Sequence, residues 1–92
     1  MSTRAADHRL RLLHLEDSEL DHELTLAHLQ RGGLEVTARR VDNEADFLLA
    51  LDEPWDAIVS DYNLPGFSGL VALDLLMARG SDTPFILVSG DR

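Results

Sequence analysis

Apolar runs and amphipathic stretches alternate along this chain of 92 residues. Runs with the length and composition of strands lie at 10–15, 35–41, 56–61 and 85–88. Stretches with apolar residues three or four positions apart, which is the spacing of one helix face, lie at 18–31, 44–52 and 70–79. The order βαβαβαβ favours a parallel sheet covered by helices, because parallel neighbours are joined by crossover connections.

Residues at the ends of the predicted helices support these assignments. Ser18 or Asp17 can cap the first helix, and glycines at 32, 33 and 80 can end the first and the third. The apolar positions that recur at helical spacing are Leu20, Leu24, Ala27 and Leu29 in the first helix and Leu70, Leu73 and Met77 in the third. These positions define an apolar side on each helix, and we expect the leucine-rich third helix to pack in the core.

Three of the four predicted strands end in side chains that carry oxygen. Glu16 and Asp17 follow the first strand, Asp61 ends the third, and Ser89 follows the fourth. In a parallel sheet these ends lie on one edge, where neighbouring carboxylates repel one another unless they take up a proton or bind a cation. Mg²⁺ prefers oxygen ligands and keeps positions for water and phosphate oxygens, so the pattern favours phosphoryl transfer to an aspartate. For Asp17 alone, the alternative is a helix cap.

The composition excludes several other classes of function. The formal net charge of −9 argues against binding nucleic acid through its phosphates. All eight basic residues are arginine, so no lysine is available for a nucleotide-binding loop or a Schiff base, and the absence of cysteine excludes thiolate chemistry. No stretch of the sequence is apolar for long enough to span a membrane, which leads us to expect a cytoplasmic protein.

Three segments carry the most distinctive motifs: 12–18 (LLHLEDS), 56–69 (DAIVSDYNLPGFSG) and 84–91 (PFILVSGD). In order and spacing they resemble the signature segments of CheY-like response-regulator receiver domains. The resemblance implies an α/β fold, a flavodoxin-like, doubly wound parallel sheet with strands in the order 2-1-3-4. It divides the chain into a polar lead-in at 1–8 and a receiver domain at 9–92. It also implies a signalling domain, not an enzyme, that accepts a phosphoryl group from a histidine kinase or a phosphotransfer protein.

The resemblance also implies the residues of a magnesium site. Asp17 and Asp61 would bind Mg²⁺ directly, and Glu16 would bind it mainly through water. The main-chain carbonyl of Asn63 would be a further ligand.

The same comparison implies the residues that handle the phosphoryl group. Asp61 would be the phosphoacceptor, with the side chain of Asn63 close to the phosphoryl group. Ser89 would be the switch hydroxyl that turns toward the phosphoryl oxygens. Asp91 would affect the rate at which water attacks the acyl phosphate.

The sequence departs from the family's pattern at its C-terminal end. The family has a fifth βα unit whose strand ends in a lysine that pairs with the phosphoryl group, and this sequence has neither. We therefore expect an incomplete receiver with a bare apolar edge at 85–88, associating as a homodimer or by strand exchange. The alternative function is a poorly phosphorylated module for dimerisation or protein interaction. A Mg²⁺-dependent phosphohydrolase, which would need a D-x-D motif and a lysine, fits poorly.

The remaining basic residues receive simpler interpretations. The four histidines do not have the spacing of metal ligands. His14 lies within the first predicted strand and is expected to pack in the core, whereas His22 is expected to be on the surface or partly buried. Arg39 and Arg40 form a small basic patch on the predicted edge strand, and we expect both to be solvated.

Overall fold

The computed structural model describes residues 9–61, 64 and 66–88 of the chain. Its elements are β1 (Leu10–Leu15), α1 (Glu19–Arg31), β2 (Val36–Val41), α2 (Glu44–Ala50), β3 (Ala57–Asp61), α3 (Gly69–Ala78) and β4 (Phe85–Val88). All seven predicted elements are present, with bounds within two residues of the predicted ones. The lead-in predicted at 1–8 lies outside the described residues.

The four strands form one parallel sheet in the order β2-β1-β3-β4, which confirms the predicted flavodoxin-like arrangement. The chain moves from β1 to β2 on one side and then crosses to the other side of β1 to form β3. In an open sheet of this kind, the cleft for ligands lies outside the carboxyl ends of the strands where the direction changes. Here that point lies between β1 and β3.

The strand register determines which side chains share a face of the sheet. His14 pairs with Arg40 of β2 and with Val59 of β3, so these three residues lie on one face. Because successive side chains alternate between faces, Asp61 also lies on this face, whereas Leu13 lies on the opposite one.

The hydrophobic core lies on the Leu13 face of the sheet, beneath helices α2 and α3. Its buried members include Leu13, Leu15, Phe47, Ile58, Phe67, Ala72 and Leu76. The rings of Phe47 and Phe67 pack with their centroids 5.7 Å apart. Burying one such side chain contributes about 1.5–3 kcal/mol, so these few residues supply a large share of the stability of a small domain.

The packed side of α1 differs from the predicted one. In α1, which lies wholly within the described residues, no side chain is buried, and Leu20 and Leu24 are exposed. Of the four predicted positions only Leu29 is half-buried, together with His22 and Leu26. Polar His22 lies toward the sheet because it meets His14 there, and this contact cannot be read from the spacing of leucines.

The buried side of α3 is also shifted from the predicted positions. Its buried residues are Gly69, Ala72 and Leu76. Of the three predicted positions, Leu73 is half-buried, whereas Leu70 and Met77 are exposed. Most residues of this helix are apolar, so periodicity alone does not distinguish its faces. The small side chains at 69 and 72 allow the helix to approach the sheet closely.

The apolar edge predicted at 85–88 is present. β4 lies at the end of the described sheet opposite β2. Ile86, Leu87 and Val88 are 50%, 37% and 46% exposed. Among the described helices, none is both long and apolar enough to cross a membrane.

Candidate metal centre

Three carboxylates from two neighbouring strands meet at the carboxyl edge of the sheet. Glu16 and Asp17 directly follow β1, and Asp61 is the last residue of β3. One carboxylate oxygen of each lies within 4.8 Å of the other two. The fold thus brings together the three acids predicted as metal ligands, at the point where the strand order changes direction.

The turn after β1 is held by hydrogen bonds on both sides of Glu16. The Glu16 N–H donates to the carbonyl of Val41 at 3.0 Å, which extends the pairing of β1 with β2 into the turn. The Ser18 N–H donates to Oε2 of Glu16 at 3.1 Å. The Ser18 hydroxyl accepts from the N–H of Asp21 at 3.1 Å and caps α1. Because Ser18 is the cap, the alternative interpretation of Asp17 as a cap is not needed.

Burial and the neighbouring acids together raise the pKa of Glu16. Burial is the largest cause that raises the pKa of Glu16 above its usual value. The Ser18 N–H lowers this pKa, and the negative charges of Asp61, Asp21 and Asp17 raise it further. A bound cation would remove this mutual repulsion.

The donor set fits a hard divalent cation. All three donors are carboxylate oxygens, which Mg²⁺ prefers, and two oxygens bound to one Mg²⁺ lie about 3–4 Å apart. The observed spacing, within 4.8 Å, therefore allows one divalent cation to be shared by the three acids, directly or through water.

A polar layer lies beneath the carboxylates on the same face of the sheet. The Nδ1 atoms of His14 and His22 lie 2.8 Å apart, and the ring centroids are 5.0 Å apart, as in an end-to-end hydrogen bond between imidazoles. His14 is only 4% exposed, which confirms its predicted place in the interior. Burial is the main cause that lowers the pKa of His14 to about 4. The charges of His22 and Arg40 lower this pKa further, whereas the negative charge of Asp61 opposes the shift.

Arg40 connects this polar layer to the turn after β1. Its Nη1 donates to the carbonyl oxygen of Glu16 at 3.2 Å and lies 3.5 Å from Oδ2 of Asp42. The side chain of Arg40 is half-buried, at 27% exposed, so the expected solvation holds for Arg40 only in part. Arg39 is exposed and pairs with Glu53 at 2.9 Å. The signal that distinguishes the two arginines is the alternation of faces along a strand.

The end of β3, which carries Asp61, is packed against the start of α3. A Cβ atom at Gly69 would lie 2.9 Å from the carbonyl oxygen of Asp61, 3.0 Å from Oγ of Ser60 and 2.5 Å from Cδ1 of Leu87. The Ser60 hydroxyl itself donates to the Asp61 carbonyl at 2.9 Å. Gly69 thus allows α3 to begin directly against the residue that ends β3. The predicted site residues Asn63, Ser89 and Asp91 lie outside the described residues.

An open, parallel α/β sheet with an acidic cluster where the strand order changes direction defines a flavodoxin-like domain with a carboxylate site. No protein-family model and no curated protein matches the sequence. Among solved structures, a CheY-like response-regulator receiver domain from Methylobacillus flagellatus is 30% identical, with a TM-score of 0.77. The alignment covers 91% of this chain and 72% of that one. The chain belongs to the CheY-like response-regulator receiver domains.

Two further structures show the same fold at lower identity. The MaeR response regulator bound to beryllium trifluoride is 19% identical, with a TM-score of 0.78 over 90% of this chain and 69% of that one. The receiver domain of a sensor histidine kinase from Pseudomonas aeruginosa is 23% identical, with a TM-score of 0.72 over 87% of this chain and 66% of that one. That domain has a magnesium ion coordinated in its active site cleft.

Proposed function

We propose that this chain is a cytoplasmic phosphoacceptor domain that takes a phosphoryl group from a phosphohistidine onto Asp61. The observation that carries the proposal is the convergence of Glu16, Asp17 and Asp61 within 4.8 Å in a receiver fold. The magnesium ion in the Pseudomonas aeruginosa receiver domain supports the choice of metal. The phosphodonor would be a histidine kinase or a phosphotransfer protein.

Each carboxylate has its own task in this proposal. Asp17 and Asp61 hold Mg²⁺ directly, and Glu16 holds it through water. When bound, Mg²⁺ supplies positive charge that neutralises the phosphoryl oxygens. A carboxylate oxygen of Asp61 attacks the phosphorus, the P–N bond breaks, and the imidazole leaves with the bonding electrons and takes up a proton from water. The product is an acyl phosphate on Asp61.

The residues outside the described part of the chain complete the proposed site. In this proposal the carbonyl of Asn63 would be a further metal ligand, with its side chain near the phosphoryl group. The Ser89 hydroxyl would contact the phosphoryl oxygens, and Asp91 would affect hydrolysis of the acyl phosphate.

We expect slow phosphorylation of Asp61 by a small phosphodonor. The sequence contains no lysine, so one fewer cation stabilises the charge on the transferred group than the family's pattern would supply. The chain is incubated with acetyl phosphate and Mg²⁺, and intact-mass spectrometry follows the gain of one phosphoryl group. Asp61→Asn should abolish this gain, whereas Asp74→Asn, which alters an exposed carboxylate on α3, should retain it.

The other outcomes of the labelling experiment are equally informative. Rapid labelling that depends on Asp61 would show that this chain does not need the lysine. No labelling in the presence of a bound divalent cation would contradict the phosphoacceptor proposal and favour an interaction module.

A second candidate function is self-association through β4. Ile86 and Val88 expose apolar side chains on one face of this strand, and Leu87 does so on the other. Within the described sheet, no strand lies beside the outer edge of β4. Such an edge offers unpaired backbone groups to another chain, so the proposed partner is a second copy, bound by β4-to-β4 pairing or by strand exchange.

Light scattering at micromolar concentration should therefore give the mass of a dimer or a larger assembly. Ile86→Lys places a charge on the edge strand and should shift the mass toward a monomer. Leu49→Lys changes an even more exposed leucine on α2 and should leave the mass unchanged. Because each chain carries a formal charge of −9, association should strengthen as salt screens the repulsion. A wild-type chain that stays monomeric under these conditions would contradict this proposal.

A further inference from the structure

We infer that Arg40 is a positioning residue for the metal centre: its guanidinium holds the carbonyl of Glu16 and thereby orients the carboxylates of Glu16 and Asp17. The inference rests on the proposed function, because it assumes that a divalent cation binds these carboxylates. Arg40 itself does not touch the metal in this scheme. It acts through the main chain of the turn that follows β1.

The contact runs between two neighbouring strands of the sheet. Arg40 is the penultimate residue of β2, and its Nη1 donates to the Glu16 carbonyl at 3.2 Å. Asp42, 3.5 Å away, pairs with the same nitrogen. The arginine side chain is largely covered, which restricts its alternative positions. The guanidinium is thus held between Asp42 and the turn that carries the acids.

Two hydrogen bonds fix the main chain of Glu16, and Arg40 supplies one of them. The N–H of Glu16 donates to the Val41 carbonyl at 3.0 Å, and the Glu16 carbonyl accepts from Arg40. Together these bonds orient the peptide groups before and after Glu16. The second of these peptide groups leads directly into Asp17. Without Arg40, the Glu16 carbonyl would lose this bond, and the turn would be held by the bond to Val41, the Ser18 N–H on the Glu16 carboxylate and the cap at Ser18.

The positive charge of Arg40 would by itself weaken metal binding, whereas its hydrogen bond to the turn would strengthen it. A guanidinium repels a divalent cation, so an arginine that contributed only its charge would weaken metal binding, and its removal would tighten binding. An arginine that orients the ligands strengthens binding, and its removal weakens it. Replacement of Arg40 by a neutral residue therefore distinguishes the two roles by the sign of the change in affinity.

The experiment measures Mn²⁺ binding to the whole chain by electron paramagnetic resonance, with Mg²⁺ as a competitor. Arg40→Gln should raise the Kd for Mn²⁺ by about 10-fold or more, which is the usual range for the loss of a partner outside the metal's own ligands. Arg40→Lys keeps the charge but replaces the guanidinium fork with an ammonium group, and its Kd should lie between those of wild type and the glutamine variant. Arg39→Gln removes the same charge from the adjacent residue on the opposite face and should bind Mn²⁺ like wild type.

Denaturant unfolding without metal shows which variants are folded. An Arg40→Gln variant that binds Mn²⁺ as tightly as wild type, or more tightly, overturns the inference and leaves the proposed metal centre standing. A wild-type chain that binds no Mn²⁺ overturns both the inference about Arg40 and the proposed metal centre. If Arg40→Gln does not fold, Arg40→Lys decides: its charge equals that of wild type, so weaker binding supports a positioning role and unchanged binding overturns it.

Discussion

Lowering the pH from neutral to 4 should reduce the free energy of unfolding by about 3 kcal/mol through His14 alone. Burial lowers the pKa of His14 from 6.5 to about 4 in the folded domain. Between these two values the unfolded chain binds a proton that the folded domain does not. The stability associated with neutral His14 is therefore fully present above about pH 6.5 and is lost as the pH falls toward 4.

The imidazole pair gives this dependence a structural cause. A hydrogen bond between the Nδ1 atoms of His14 and His22, 2.8 Å apart, requires one donor and one acceptor. With both rings protonated, two N–H groups would face each other. The pKa of His22 is also lowered, mainly by burial, and acts in the same direction. The raised pKa of Glu16 acts in the opposite direction, because the folded domain then takes up a proton more readily than the unfolded chain does.

Urea unfolding at a series of pH values, followed by the fluorescence of Trp55, measures this effect. His14→Leu removes the buried titrating group while keeping an apolar side chain in the sheet, and its stability should change much less between pH 6.5 and 4. His28→Gln alters an exposed histidine on α1 and should keep the wild-type dependence. Equal pH dependence in wild type and His14→Leu would contradict the assignment to His14.

Replacing Gly69 with alanine should destabilise the domain by about 1–3 kcal/mol, the usual cost of adding an atom to a packed interior. The new Cβ would lie 2.9 Å from the Asp61 carbonyl oxygen, which belongs to the backbone and cannot rotate away. It would also lie 2.5 Å from Cδ1 of Leu87, a flexible side chain that can move. The strain therefore falls at the junction of α3 with the end of β3, next to Asp61, a residue of the proposed metal centre.

The measurement compares denaturant unfolding and Mn²⁺ affinity for Gly69→Ala and Gly32→Ala. At Gly32 the added Cβ would meet its nearest neighbours at 3.5 Å and 3.7 Å, which are ordinary contacts, so this variant should stay close to wild type in both respects. Gly69→Ala should lose both stability and metal affinity. A Gly69→Ala variant that matches the wild type would show that α3 can shift without cost.

The carboxylate cluster could be predicted because it follows from strand ends. Glu16, Asp17 and Asp61 each stand where an apolar run stops, and in a parallel sheet the corresponding ends of the strands come together. The contacts of Arg40 could not be predicted in this way. Its neighbour Arg39 has the same charge and the same local sequence, and only the strand register and the position of the turn after β1 distinguish their surroundings.

The linear pattern was sufficient for the order of elements, their approximate bounds and the acids at the carboxyl edge. These features depend on local rules: two-residue alternation, capping by Ser18, and connections between parallel strands. Packing in three dimensions determined which sides of α1 and α3 lie against the sheet. Apolar residues nearly surround α3, so periodicity could not distinguish its faces, and the small residues Gly69 and Ala72 allow the close approach. In α1, a hydrogen bond between two histidines outweighed the leucine spacing, because a buried imidazole needs a polar partner.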